Sequence, residues 1–565
     1  MKKPLLYAGV FCIMVSGLFS YTSAQAQSDP TGKKPITDTY AITNATVFTS
    51  PGQAGVKATV LIKDGLIQGV GSNLTLPKET KTIAGDSLFI YPGFIAGASD
   101  VGITRPKDPD RPDDFVSSNP PDEIAGITPW RSAVDQFSIK DSKVDDLRKV
   151  GFTVAQITPD GGMIAGKTAI ILLGSENSTN LLKENTALAA NFRGSRGMYP
   201  GTAVGVMAKF REVYDNTKLT SERSQKYSTV AGLKRPEITP TYSAMQEVTS
   251  GQIPVMFTTS SELEIRRAIN LQKEKGFKLV LTGLEEYEGV LDVIKASGAA
   301  VLVKLEIPDD KAIKAMKDDA SEEVKALNAR VKKAYDDAIA QASKLEEAGI
   351  PFAFSTVGVK SGDIMKALQK MIENSLSEEA ALAALTTNPA SILGLSKVAG
   401  SIEKGKMANL ILSTDSLFAE DSQIKHVVVD GIIFDYETKP KKKASTGGNS
   451  DGSVKIDGNW EYTSESPAGS GTGVLAIQKD GTSYTGTITY DDPSGSGKAT
   501  APISNVVLDG SSLSFSFTVT ANGMEILVNV TGEVSEGSYD ATMSVGEFGS
   551  FPFNGTLTPT LIANK

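Results

Sequence analysis

Over residues 92–396, short apolar runs alternate with long amphipathic stretches, and this alternation narrows the fold more than any other feature of the 565-residue chain. The strand-like runs are Phe152–Thr158, Ala169–Leu173, Ile253–Thr258, Lys278–Thr282, Ala300–Lys304 and Phe352–Ser355. Helical spacing covers Ser261–Glu274, Ser321–Ala348, Ser361–Asn374 and Ser377–Leu385. Strands that are apolar on both faces must be covered on both. Repeated strand–helix units over roughly 300 residues achieve this by closing into a parallel barrel. The chain is therefore read as α/β, with a (β/α)8 TIM-like barrel at 92–396.

The flanks read differently. Ala41–Phe48, Ala58–Gly65 and Leu66–Val70 are short β runs, and Asp64-Gly65 between two of them is a hairpin signal. Matching β segments recur far downstream at Gly400–Leu412 and Ile424–Phe434. Residues 39–91 and 397–438 are thus expected to form one split composite β-sandwich domain around the barrel. Residues 439–452, rich in Lys, Gly and Ser, cannot bury a core and read as a linker. From 453 to 565 helical spacing is absent. Turn pairs Asp480-Gly481, Asp509-Gly510 and Asn522-Gly523 separate alternating runs such as Leu513–Val519. This pattern predicts a separate antiparallel β-sandwich or barrel.

The first residues look like an export signal. Lys2 and Lys3 precede an apolar run from Leu5 to Phe19, and Ala24-Gln25-Ala26 forms a cleavage pattern before Gln27. The run is shorter than the about 20 residues of a membrane-spanning helix, so no integral span is expected. A signal peptide at 1–26 and a disordered lead-in at 27–38 imply a periplasmic or secreted protein. Cleavage would remove Cys12, the single cysteine, leaving the mature chain no thiolate chemistry. Loss of Lys2 and Lys3 would move the formal charge from −9 to −11, which argues against nucleic acid as a partner.

Several stretches, in order along the chain, carry a resemblance. They are Leu61-Ile-Lys-Asp-Gly-Leu-Ile67 with Val70-Gly71, then Pro92-Gly-Phe-Ile95, then Thr387-Asn-Pro-Ala-Ser-Ile-Leu-Gly-Leu395. Gly400-Ser-Ile-Glu-Lys-Gly-Lys406 and His426-Val-Val-Val-Asp-Gly431 complete the set. Together they resemble the amidohydrolase superfamily, most closely its imidazolonepropionase-like members. The resemblance implies zinc or another divalent metal as cofactor and hydrolysis of carbon–nitrogen bonds other than peptide bonds.

The positions that would hold the metal are changed. The resemblance places a His-x-His pair at Ala98 and Asp100, further histidines at Thr258 and Thr282, and an aspartate at Thr356. Imidazole is the main nitrogen ligand of catalytic zinc. The chain has one histidine, His426, on a β run of the composite domain. No cofactor is therefore expected. An oxygen-only centre, suited to calcium or magnesium, could be built from Asp100, Asp160, Glu285 and Glu306 near strand ends, although carboxylates there are more often ordinary rim residues.

Two other signals compete. Gly161-Gly-Met-Ile-Ala-Gly166-Lys167-Thr168 matches the phosphate-loop pattern, but a β run follows where a helix should start. In the C-terminal segment, Trp460, Tyr462, Tyr484, Tyr490, Phe515, Phe517, Phe548, Phe551 and Phe553 could line a sugar-binding face, although alternating aromatics more often form core. The expectation is an exported amidohydrolase-family protein with a degenerate metal centre, acting as a non-catalytic binding or partner subunit. An intact amidohydrolase homologue, or self-association, would supply the partner. The alternatives are an active hydrolase of cyclic amides with an oxygen-ligand or metal-free site, and a carbohydrate- or surface-binding protein acting through the C-terminal segment.

Overall fold

The computed structural model describes residues 39–438 and 456–558, apart from 177–179, 309, 315, 317–320, 467–468, 481–482, 493–496, 510, 522–523, 536 and 546–548. The export signal, the lead-in and the linker of the sequence reading lie outside these residues, as do Gly481, Gly510, Asn522, Gly523 and Phe548. Contacts divide the chain into two units, one ending at Lys441 and the other beginning at Lys442.

The first unit opens with β1 (Tyr40–Val47), β2 (Val56–Lys63), β3 (Leu66–Gly71), β4 (Lys81–Ala84) and β5 (Phe89–Pro92). Next come β6 (Phe94–Ser99), α1 (Ser142–Lys149), β7 (Phe152–Ile157), β8 (Ile164–Lys167), β9 (Ala169–Leu172), β10 (Leu181–Lys183) and β11 (Leu188–Asn191). Then follow α2 (Ala203–Thr229), α3 (Pro240–Thr249), β12 (Val255–Thr258), α4 (Glu262–Lys275), β13 (Leu279–Thr282), α5 (Leu291–Ser297) and β14 (Ala300–Lys304). The remainder is α6 (Lys311–Lys314), α7 (Glu322–Glu347), β15 (Phe352–Ser355), α8 (Ser361–Glu373), α9 (Glu378–Leu385), α10 (Thr387–Ile392), β16 (Leu410–Ser413), β17 (Ile424–Val429) and β18 (Ile432–Asp435). Helix starts follow local chemistry. Ser261, Ser321 and Ser377 each cap a helix by accepting from a backbone N–H of its first turn, and acidic residues follow at once.

Strands β7, β6, β15, β14, β13, β12 and β11 run parallel in that spatial order. The gap between β7 and β11 is closed by β8 and β9, which flank Thr168. Strand β9 pairs antiparallel with β7, and β8 pairs antiparallel with β11. The barrel is thus closed with one reversed strand. The cause is the link from β7 to β8, the short run Thr158–Met163. It has room for a hairpin turn but not for the dozen or so residues of a parallel crossover.

Side chains alternate across each strand. Outward residues such as Phe257, Leu281, Val303 and Phe354 pack under the helices in the largest core cluster. Inward residues form a cluster of their own: Ala98, Ala165, Ala187, Ala189, Met256, Val280, Leu302 and Ala353. Most are alanines, so Met256 and Leu302 fill much of the barrel interior. Gly97 permits this close approach, because a Cβ there would lie 2.7 Å from Leu302 Cδ2 and 3.1 Å from the Phe354 carbonyl oxygen.

The composite domain joins the two flanks. Strand β16 pairs antiparallel with β5, Leu410 opposite Pro92 and Ser413 opposite Phe89, within the order β18-β17-β16-β5-β1-β2-β3, and β4 pairs with β1. It docks on the barrel through Ile95, Val154 and Leu172 against Val427 and Phe434. Arg148 is buried at this junction. Its guanidinium lies 3.9 Å from the Phe434 ring centroid, and its Nε donates to the Leu173 carbonyl at 2.6 Å.

The second unit is a nine-stranded antiparallel sheet that runs from Gly458–Ser466 to Ser550–Thr558. Its first and last strands pair with each other. The two edge strands, Lys498–Pro502 and Ser504–Asp509, are separated only by Ile503, so the sheet comes close to closing as a barrel. Trp460, Tyr462, Phe515, Phe517 and Phe553 are buried in its core, and Tyr484 and Tyr490 pack against them partly buried. Their polar tips are paired inside: Trp460 Nε1 donates to the Ile456 carbonyl at 2.9 Å, and Tyr462 Oη to that of Thr489 at 2.9 Å. These aromatics build a core and do not form an exposed sugar platform.

Candidate functional site

The C-terminal ends of parallel barrel strands form the mouth, where barrel enzymes place their chemistry. Each parallel strand presents one inward residue there: Ala98 from β6, Thr158 just after β7, Asn191 from β11, Thr258 from β12, Thr282 from β13, Lys304 from β14 and Ser355 from β15. Together with Arg193, Glu264 and Glu285 they line a cavity of about 470 Å³. Register fixes the ring. Asn191, Thr258 and Thr282 lie level on adjacent strands, and Lys304, Ser355 and Ala98 lie level on the other side. Thr282 is level with Leu302, so Lys304 stands two residues higher, as the stagger of a barrel requires.

Some of these groups are already committed. Asn191 Nδ2 donates to the Gly162 carbonyl at 2.8 Å, and its Oδ1 accepts from the Arg193 backbone N–H at 2.8 Å. Ser355 Oγ accepts from the Val357 N–H at 3.3 Å. Glu264 accepts from the Ser260 N–H at 2.9 Å and from its hydroxyl at 3.2 Å. Lys304 pairs closely with Glu306. By contrast, the Thr158 hydroxyl is buried and has no hydrogen-bond partner among the described residues.

Of the residues singled out from sequence, Ala98, Thr258 and Thr282 stand in the ring, and Glu285 lines the same cavity. Thr356 does not. Phe354 packs outward and Ala353 inward, so Ser355 faces the mouth and Thr356 turns away to bond Ser99 Oγ at 2.8 Å. Asp100 also leaves the mouth. It lines a separate groove shared with Thr356 and accepts from the Gly358 N–H at 3.1 Å. Asp160 lies 3.6 Å from Arg105 on the exposed surface, and Glu306 is held by Lys304. The four carboxylates of an oxygen-only centre are therefore not brought together. Lys167 of the phosphate-loop pattern lies within β8 and pairs with Glu247 on α3, so no helix N-terminus is offered to a phosphate. His426 lies in the composite sheet, its Nδ1 2.7 Å from Asp435 Oδ1.

Six of the side chains named at the mouth, Thr158, Asn191, Arg193, Glu264, Lys304 and Ser355, escaped the sequence reading. Lys304 and Ser355 were legible, since both end recognised strands and share the phase of Leu302 and Ala353. Arg193 was not, because Leu188-Ala-Ala-Asn191 lacks the branched residues that mark a strand.

The donor set decides what the mouth can hold. Catalytic zinc needs imidazole, thiolate or carboxylate ligands, and calcium needs several carboxylate or carbonyl oxygens. The ring supplies hydroxyls, an amide held by backbone and an ammonium paired with Glu306, and of the two carboxylates beside it, Glu264 and Glu285, the first is held by Ser260. Among the described residues, no group of three His, Cys, Asp or Glu side chains is placed to hold a metal ion. The residues present do not fit such a centre.

Residues 215–433 match the amidohydrolase family. Among solved structures, the chain is similar to an amidohydrolase from Thermotoga maritima MSB8 at 22% identity, covering 70% of this chain and 100% of that one, with a TM-score of 0.59. It is also similar to a Xaa-Pro dipeptidase with bound methionine at 16% identity, covering 71% and 100%, TM-score 0.44. Molinate hydrolase matches at 16% identity over 72% and 96%, TM-score 0.43. Comparison with curated proteins returns no match.

Proposed function

We propose that this chain, whose barrel is of the amidohydrolase family, is an exported protein with a degenerate metal centre that works as a non-catalytic binding or partner subunit. One observation carries the reading: the inward ring of Ala98, Thr158, Asn191, Thr258, Thr282, Lys304 and Ser355. Metal-dependent hydrolysis relies on a cation that lowers the pKa of bound water and polarises the carbonyl. Hydroxyls and an ammonium do not reproduce that chemistry, and Glu264 and Glu285 beside them lack a third ligand among the described residues, while a closed barrel is kept.

Support for export comes from Lys2, Lys3, the apolar run to Phe19 and the Ala24-Gln25-Ala26 pattern. No helix among the described residues is long and apolar enough to cross a membrane. Support for a partner role comes from large apolar side chains left exposed on the outer helices. Leu219 and Tyr227 lie on α2, and Val324, Leu327 and Val331 follow one face of α7. An intact amidohydrolase homologue is the partner proposed.

The test is metal content of residues 27–565 after incubation with zinc, manganese and calcium and desalting, with turnover of cyclic amides assayed alongside. The expected result is far less than one retained ion per chain and no turnover. One or two retained ions, or turnover lost on chelation, would overturn the reading. Native copurification from the source organism is expected to bring down an amidohydrolase, and its repeated absence would remove the partner assignment.

A further inference from the structure

We propose that the barrel mouth is a metal-independent binding site for a small organic acid that also carries a hydroxyl or amino group. This rests on the reading that the mouth holds no metal, and it names the ligand of the same site. The cavity, about 470 Å³, is of the size that encloses small ligands. Its chemistry has two ends. At one end, the Arg193 guanidinium has no carboxylate partner among the described residues, and its planar fork suits a carboxylate. Thr158, Thr258 and Thr282 line the same space. The Thr158 hydroxyl is buried in its wall without a hydrogen-bond partner among the described residues. At the other end is Glu285, a carboxylate with no partner among the described residues, whereas Glu264 is taken by Ser260 and Glu306 by Lys304. Glu285 can accept from a ligand's hydroxyl or ammonium. Met256, Phe192 and Val357 leave room for only a short apolar body.

The test uses the mature chain without added metal. L-lactate, L-malate and L-serine are titrated by calorimetry and thermal shift, with glycerol and glucose as neutral controls. At least one acid is expected to bind, and the neutral compounds are not. R193A, at an exposed position, should fold normally and weaken that acid by about tenfold or more. T258V, at an exposed position of the ring, should weaken binding several-fold without lowering the melting temperature of the unliganded protein. Neutral polyols binding as well as the acids, or R193A binding unchanged, would overturn the proposal. The same titrations after zinc loading separate the two readings. Binding that appears only with zinc overturns both the metal-free mouth and this proposal. No binding in either condition overturns the carboxylate assignment alone.

Discussion

Replacing Trp460 with alanine is expected to unfold the C-terminal unit well before the barrel unit. Trp460 is fully buried, stands edge-on to Tyr539 with ring centroids 6.3 Å apart, and bonds the Ile456 carbonyl through its indole nitrogen. Truncating a buried aromatic of this kind costs about 3–5 kcal/mol. A domain of this size holds about 5–15 kcal/mol in all. Its melting temperature should fall by at least about 12 °C. Scanning calorimetry of the whole chain, with the transitions assigned by proteolysis, checks this. A C-terminal transition that moves by only a few degrees would show that the aromatic core does not hold the sheet together.

The second large effect is expected inside the barrel. Leu302 is fully buried, and the inward residues beside it include Gly97, Ala98 and Ala353, which are too small to collapse into the space it would leave. Leu302→Ala should therefore fall in the upper part of the about 2–5 kcal/mol range for such truncations. Gly97→Ala alone should cost about 1–3 kcal/mol, since its Cβ would meet Leu302 Cδ2 at 2.7 Å. The combination should be more stable than the sum of the two by about 1 kcal/mol or more, because each change removes the other's defect. Urea titration of the four proteins measures the coupling. Additive losses would mean that the two sites do not share that space.

Much of this fold was legible in the sequence. Ala300–Lys304 and Phe352–Ser355 are strands at the boundaries read from their apolar runs, and the helices capped by Ser261, Ser321 and Ser377 start where the caps place them. The long helix α2 was not read. Its buried face is spread thinly over Val206, Phe210, Val213 and Tyr214, and its later turns are polar. Strand β11 was also missed. Its alanines favour a helix in isolation, and only pairing with β12 and β8 makes it a strand.

The candidate site divides in the same way. With a single histidine in the chain, composition alone rules out an imidazole-built centre in any fold or register. Composition could not say which side chains take the vacated places. That depends on strand phase, where a shift of one residue turns a side chain from the mouth to the outside. At β15 the phase brings Ser355 inward and turns Thr356 out. At β6 the register shifts between Ala96 and Ser99, leaving Ala98 at the mouth and Asp100 in a different groove. Lys304 reaches the ring because the barrel is staggered, and Arg193 because an alanine-rich run is drawn into the sheet by its neighbours. What the mouth lacks was set by the amino acids present, and what it offers instead was set by how the strands pair.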